Sequence, residues 1–267
     1  MPEFSWRNFI YTVDDPTAPA HTPKNKGREA LPYLQFIIDH YHDLPTPIVF
    51  MHAHHDSWHV DTTDNVNFNS VRSLQRPFVE KQGFVNLRCQ PSPGCPAEMQ
   101  PFRNPPKPGN PGEAYYAAAW KELFGNTKVP QTIAAPCCSQ FAVSRTQVLQ
   151  RPLSDYQRMY NWVLNNDLPD EATANIMEYS WHIIFGQDPV LYVFPSVALF
   201  FIGWFVMWLL TFMQLPGCVP VLRRCFRRRG DSALNSILIR FSFIPFYPFY
   251  CSLHHHYPPR LTSLLLP

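Results

Sequence analysis

Apolar residues at Leu34, Ile37, Ile38 and Tyr41 form one stripe at helical spacing, so the chain from about Ala30 predicts a helix closed by Asp43-Leu44-Pro45. Before it, Asn8–Val13 (NFIYTV) predicts a short strand ended by Asp14-Asp15-Pro16. After it, Pro47–Ala53 (PIVFMHA) is an apolar run of β type. Strand, helix, strand in that order reads as a βαβ unit, which favours a parallel sheet. Further along, the pattern predicts a helix over Val66–Gln75, a strand over Gly83–Leu87 and a helix over Ala114–Phe124 closed by Gly125. A short apolar segment at Phe141–Ser144 follows, then helices over Ser154–Leu164 and from Asp170 to Phe185. Pro91–Gly112 is dense in proline and reads as an irregular lid or strap.

The periodicity stops at Leu191. Between Asp188 and Arg223 no side chain is charged, and Leu191–Leu215 is almost wholly apolar. About 20 apolar residues cross a hydrocarbon core of roughly 30 Å. The expectation is therefore an α/β domain over 1–189, a transmembrane helix over 190–216 and a basic, weakly ordered tail over 217–267. A buried core helix is the alternative. Arg223, Arg224 and Arg227–Arg229 follow the run, so the positive-inside rule puts the tail in the cytoplasm and the domain across the membrane. The opening MPEFSWRNFIYTVDD has no apolar signal core, and a tail-anchored chain would keep the domain cytosolic. Either way the expected location is a membrane, crossed once.

A chain 46% hydrophobic and 15% aromatic is not a disordered one. Pro 29 against Gly 10 argues against long helical bundles. Charge is split along the chain: residues 1–189 carry 15 basic and 19 acidic side chains, residues 190–267 carry 7 and 1. An acidic first domain does not fit nucleic-acid binding. Of its four cysteines, Cys89 and Cys95 flank a tight loop and Cys137 and Cys138 are adjacent. Three pairings are possible; Cys89–Cys95 is the simplest in an oxidising compartment, and free thiols are expected in the cytosol.

Three constellations could carry chemistry. The first is MHAHHDSWHVD after an apolar strand, where His52, His54 and Asp56 offer nitrogen and oxygen donors for a divalent metal, Mn or Mg. The same residues would equally make a polar loop in which histidines bond backbone. The second is the basic turn Lys24–Glu29, whose Lys26, Arg28 and backbone N–H groups could hold a phosphate or diphosphate, or simply face water. The third is Glu178-Tyr-Ser-Trp-His182. On one continuous helix Glu178 and His182 share a face. A buried Glu178 would be a candidate base. An exposed Glu–His pair is the alternative.

The ordered motifs NxGREA (Asn25–Ala30), YLxxIIDxYxxLP (Tyr33–Pro45), NLRC…PGCP (Asn86–Pro96), CCxQFAVSR (Cys137–Arg145) and EYxWHIIFG (Glu178–Gly186) resemble a fungal family of uncharacterised proteins. Two segments are more distantly similar to glycosyltransferases of the GT-A type, which implies a GT-A or Rossmann-like sheet. On that resemblance Arg28 and Glu29 belong to the donor side, Gln140 and Arg145 to the acceptor side, and Glu178 to the base position. The Asp-x-Asp of such enzymes is replaced here by His52-Ala53-His54 with Asp56.

Two functions are therefore expected. One is a membrane-tethered transferase that moves a sugar from a nucleotide-sugar donor to a glycan acceptor, with Glu178 and His182 catalytic. Lys26, Arg28 and Glu29 would bind the donor, Gln140, Arg145 and Trp181 the acceptor, and His52, His54 and Asp56 the metal. The other is a non-catalytic membrane-anchored α/β domain that binds a glycan or a protein. The transferase reading requires His52 or His54, Arg28 and Glu178 to line one cleft, with Trp181 as its apolar wall.

Overall fold

The computed structural model describes residues 6–61, 64–191 and 263–266. Strand β1 (Phe9–Tyr11) precedes helix α1 (Ala30–His40) and strand β2 (Ile48–His52). Helices α2 (Asn67–Arg72) and α3 (Arg76–Gln82) lead to β3 (Phe84–Asn86), and α4 (Glu113–Phe124) to β4 (Phe141–Val143). Then come α5 (Arg145–Val148), α6 (Leu153–Asn165), α7 (Asp170–Glu178), α8 (Trp181–Ile184) and β5 (Ser263–Leu266).

The strands form one sheet in the order β1-β5-β2-β4-β3. Every pairing in it is antiparallel, from Phe50 opposite Phe141 and Phe84 opposite Val143 to Phe9 opposite Leu265. The mainly parallel, Rossmann-like sheet expected from the βαβ pattern is therefore wrong. Two antiparallel steps through β5 leave β1 and β2 pointing the same way without pairing, so the βαβ pattern makes no parallel ladder. It could not describe adjacency, because β5 and β4, the neighbours of β2, come from distant parts of the chain.

Strand β2 is buried on both faces, and period-2 alternation divides it between two cores. Ile48 and Phe50 join the larger one with α1, α4, α6 and α7. Val49 and Met51 join a smaller one with Val71 of α2 and Val79 of α3. The result is helices, sheet, helices. Helix α1 is the central piece of the first layer, with Ala30, Leu31, Tyr33, Leu34, Phe36 and Ile37 all buried. Its stripe is much wider than the one its sequence period shows.

The helix expected from Asp170 to Phe185 is broken. The Tyr116 hydroxyl from α4 donates to the Tyr179 carbonyl at 3.2 Å and lies 2.8 Å from the Ser180 hydroxyl, which donates to Ile176 O at 2.7 Å. These bonds take the carbonyls that the next helical turn would use, so α7 ends at Glu178 and α8 restarts at Trp181. The Pro91–Gly112 loop is a fixed strap. Buried Glu113 accepts the N–H of Gln100 at 2.8 Å and of Lys107 at 2.6 Å, and Arg103 lies 3.6 Å away.

Among the described residues no helix is long and apolar enough to cross a membrane, so the transmembrane helix of the sequence reading is not found. Beyond Leu191 that expected span lies outside the described residues, as does the expected tail apart from Ser263–Leu266, which pairs in the sheet as β5.

Candidate functional site

Four segments meet at one end of the sheet: the N-terminus of α1, the C-terminus of β2, the residues before β4 and the C-terminus of α7. Glu29 stands at the α1 N-cap and His52 ends β2, with Oε2 and Nε2 3.8 Å apart and both side chains largely buried. Burial pushes the Glu29 carboxyl up, but His52, with smaller help from a backbone N–H and the Ser139 hydroxyl, holds the group below the ordinary carboxylate range. The opening turn of a helix also favours negative charge there.

Glu178 answers from α7. Its Oε1 accepts the Cys138 N–H at 2.6 Å, and its Oε2 lies 3.4 Å from the Asn175 amide nitrogen. Burial raises its pKa to about 7; the Cys138 bond opposes the rise, and the charge of Glu29 adds to it. The two carboxyls thus differ in protonation near neutrality, Glu29 ionised and Glu178 half protonated.

Around them the polar groups are incompletely paired. Tyr33 Oη, His52 Nε2, Ser139 Oγ and Trp181 Nε1 are buried and have no hydrogen-bond partner among the described residues. Buried polar atoms are ordinarily bonded. Several orphans in one neighbourhood mark a place prepared for polar atoms from outside the chain. The frame that holds them is satisfied: the His52 N–H donates to Gln140 Oε1 at 3.0 Å, and His52 Nδ1 lies 3.1 Å from His59 Nδ1. Burial, with His52 beside it, lowers the His59 pKa to about 4. The Asn67 side chain donates to His54 O at 2.7 Å and fixes the loop that leaves β2.

That loop ends in Trp58, which is 53% exposed. Arg88 donates to its carbonyl at 2.7 Å and places its guanidinium 5.2 Å from the indole centroid. Held on one side and open on the other, the ring is a flat platform at the rim.

The expected site residues scatter. Glu178, Glu29, His52, Gln140 and Trp181 come together, though Gln140 is a fully buried brace on β2 and Trp181 packs in the core, 5.7 Å from Tyr33. Lys26 and Arg28 are committed to α7. Lys26 donates to Leu168 O at 2.5 Å, the Gly27 N–H to Asp170 at 2.5 Å, and Arg28 lies 3.9 Å from Glu171. Gly27 has φ +68°, and a Cβ there would meet Val163 at 2.8 Å, so the turn is shaped for docking on helices.

Arg145 is exposed, its N–H donating to Thr46 at 3.2 Å, and lies at the opposite end of β4 from Gln140. His182 has turned away from Glu178 because the helix breaks between them; its Nε2 meets Pro189 O at 3.0 Å, and burial lowers its pKa to about 4. Asp56 pairs with His55 at 2.9 Å on the surface. His52, His54 and Asp56 do not gather within 4.8 Å of one another. The one such group of donors among the described residues is Cys137, Cys138 and Glu178.

Tyr33 and Ser139 escape a reading of the sequence, and the cysteine pairing is left open by it. Tyr33 is indistinguishable from its neighbours in an apolar stripe. Ser139 carries no local signal. Cys137 and Cys138 are bonded to each other, while Cys89 and Cys95 are free thiols, so the simplest loop pairing is not the one formed.

No curated protein and no solved structure matches the chain. Residues 2–196 match the family described as "Protein of unknown function (DUF3431)", and with most of its length covered the chain belongs to that family.

Proposed function

We propose that this protein transfers a glycosyl group from an activated sugar donor to an acceptor hydroxyl, at the site between Glu29, His52 and Glu178. The observation that carries this reading is the opposed protonation of two carboxyls in one largely buried cluster of polar side chains: Glu29 below the ordinary range, Glu178 at about 7. Pairs of carboxyls pushed apart in this way divide acid–base and electrostatic roles. Glu178 in its ionised form takes the acceptor proton. A general base works best when its pKa lies near the working pH. Glu29 keeps a negative charge that stabilises the positive charge developing on the sugar ring in an oxocarbenium-like transition state. Ser139, Tyr33 and the Nε2 of His52, 3.8 Å from Glu29, supply hydrogen bonds to sugar hydroxyls, and the open face of Trp58 suits the C–H face of a pyranose.

A second reading, glycan binding without turnover, is favoured by Trp58 alone, since an exposed, braced indole needs no catalytic partner. One experiment separates them. Nucleotide sugars and simple glycosides are screened by thermal shift, and each that binds is incubated with glycan acceptors and followed by mass spectrometry. The transferase reading expects a glycosylated product that disappears in Glu178→Gln while the thermal shift with donor persists. Binding of glycosides with no product from any donor leaves the binding-module reading in its place.

A further inference from the structure

The Cys137–Cys138 bond links sequence neighbours, so it closes no long loop and adds little chain-entropy stabilisation. Its place in the molecule suggests another use. Cys138 and Ser139 have φ of +91° and +52°, a region that residues with a Cβ seldom enter. The side-chain crosslink holds this path, and the path aims three things at the site: the Cys138 N–H at Glu178, the Ser139 hydroxyl into the orphan cluster, and the Gln140 amide at the end of β2. Both sulfurs and a Glu178 carboxylate oxygen lie within 4.8 Å of one another.

The pair is only 3% and 6% exposed. Its cover is the loop between the two free thiols, where the Cys137 N–H donates to Pro93 O at 3.2 Å and Gly94 lies against Ala135 and Cys137. Asp61 accepts the Cys89 and Gln90 N–H groups and Arg88 donates to Ser92 O, so these are the bonds that open when the loop lifts from the sulfurs.

We propose that Cys137–Cys138 is a reversible redox site, opened by a dithiol reductant, whose opening withdraws the Cys138 N–H from Glu178. The chemistry is thiol–disulfide exchange. A thiolate of the reductant attacks one sulfur, the Cys137–Cys138 bond breaks and a mixed disulfide forms. The second thiol of the reductant then displaces it. The reductant leaves as its own disulfide, and its two electrons and two protons end on Cys137 and Cys138 as thiols. Freed of the crosslink, the backbone at Cys138 and Ser139 relaxes toward negative φ. Glu178 then faces Glu29, His52, Asn175 and Tyr179 without the N–H that stabilises its ionised form. This inference is independent of any substrate.

The full chain carrying Cys89→Ser and Cys95→Ser is treated with dithiothreitol under native conditions, alkylated and mapped by peptide mass. Glu178 is titrated in parallel by carbon-13 NMR of its carboxyl, assigned with Glu178→Gln. The expected result is alkylation of Cys137 and Cys138 in folded protein, reversed by oxidation, with the Glu178 titration moving up by about one pKa unit on reduction. Cys137→Ser/Cys138→Ser should show the raised value with and without reductant. A bond that resists dithiothreitol until circular dichroism reports unfolding overturns the proposal. So does reduction that leaves the Glu178 titration where it was.

Discussion

Two glutamates, Glu113 and Glu178, are taken from water by the same fold and come out differently. Glu113 is 1% exposed and each of its oxygens accepts a backbone N–H, with Arg103 nearby. Glu178 receives one good N–H bond and one long amide contact, beside a second carboxyl, and its pKa rises to about 7. Burial is common to both, so burial by itself does not make a carboxyl reactive. The number of donors does: a carboxylate fully supplied with N–H groups holds a loop in place, and one left short of them exchanges protons near neutral pH.

The sharpest way to break this comparison is to replace each acid by its amide. Glu113→Gln swaps an acceptor oxygen for an NH2 group and leaves one of two strap N–H groups facing a donor. The expected loss is about 2–4 kcal/mol in urea unfolding, with ligand thermal shifts retained. Glu178→Gln is expected to lose no stability at pH 7 and to gain up to about 3 kcal/mol, since the amide avoids the ionisation cost that a carboxyl raised from 4.5 to about 7 carries there. Equal losses in the two variants would erase the distinction.

A smaller effect lies in the pH dependence of stability. Glu178 is raised from 4.5 to about 7, so its contribution is full below 4.5 and is lost as pH rises through 7. His182 is lowered from 6.5 to about 4, so its contribution is present above 6.5 and is lost as pH falls toward 4. Between 4.5 and 6.5 the two slopes oppose each other. Removing one exposes the other: Glu178→Gln should gain stability with rising pH across that window and His182→Gln should lose it, each by about 2 kcal/mol. Chemical denaturation at half-unit intervals of pH reads both.

The smallest effects concern the rim and the far end of β4. Trp58→Ala removes an exposed ring, so stability should move by no more than about 0.5 kcal/mol, while affinity for a bound glycoside should fall about tenfold. Arg145→Ala, at the opposite end of the strand, should change neither by a measurable amount. A loss of ligand binding in Arg145→Ala would mean that the acceptor side extends along the sheet.

Much of the element list was legible locally. The stripe of Leu34, Ile37 and Ile38, the apolar run PIVFMHA and the Gly125 stop each announce an element within a few residues of where it lies. Of the site, Glu178 and His52 were legible as chemistry-bearing residues in apolar settings. Lys26 and Arg28 were misleading, because a basic turn has the same appearance in sequence whether it faces a phosphate or Asp170 and Glu171. His182 was misleading for another reason: its spacing from Glu178 holds only on an unbroken helix, and Tyr116 breaks it from a distant part of the chain.

What the sequence determines by itself is set by interactions a few residues long: helical and strand periods and turn residues. The tertiary structure decided which strands are neighbours, where α7 stops, which cysteines bond and which glutamate is left short of donors. Each of these depends on a partner brought from far along the chain, such as β5 beside β2, Tyr116 at Tyr179 or Cys138 at Glu178. No local pattern encodes the identity of such a partner, because the free energy that selects it comes from filling a shared core and satisfying buried polar groups together.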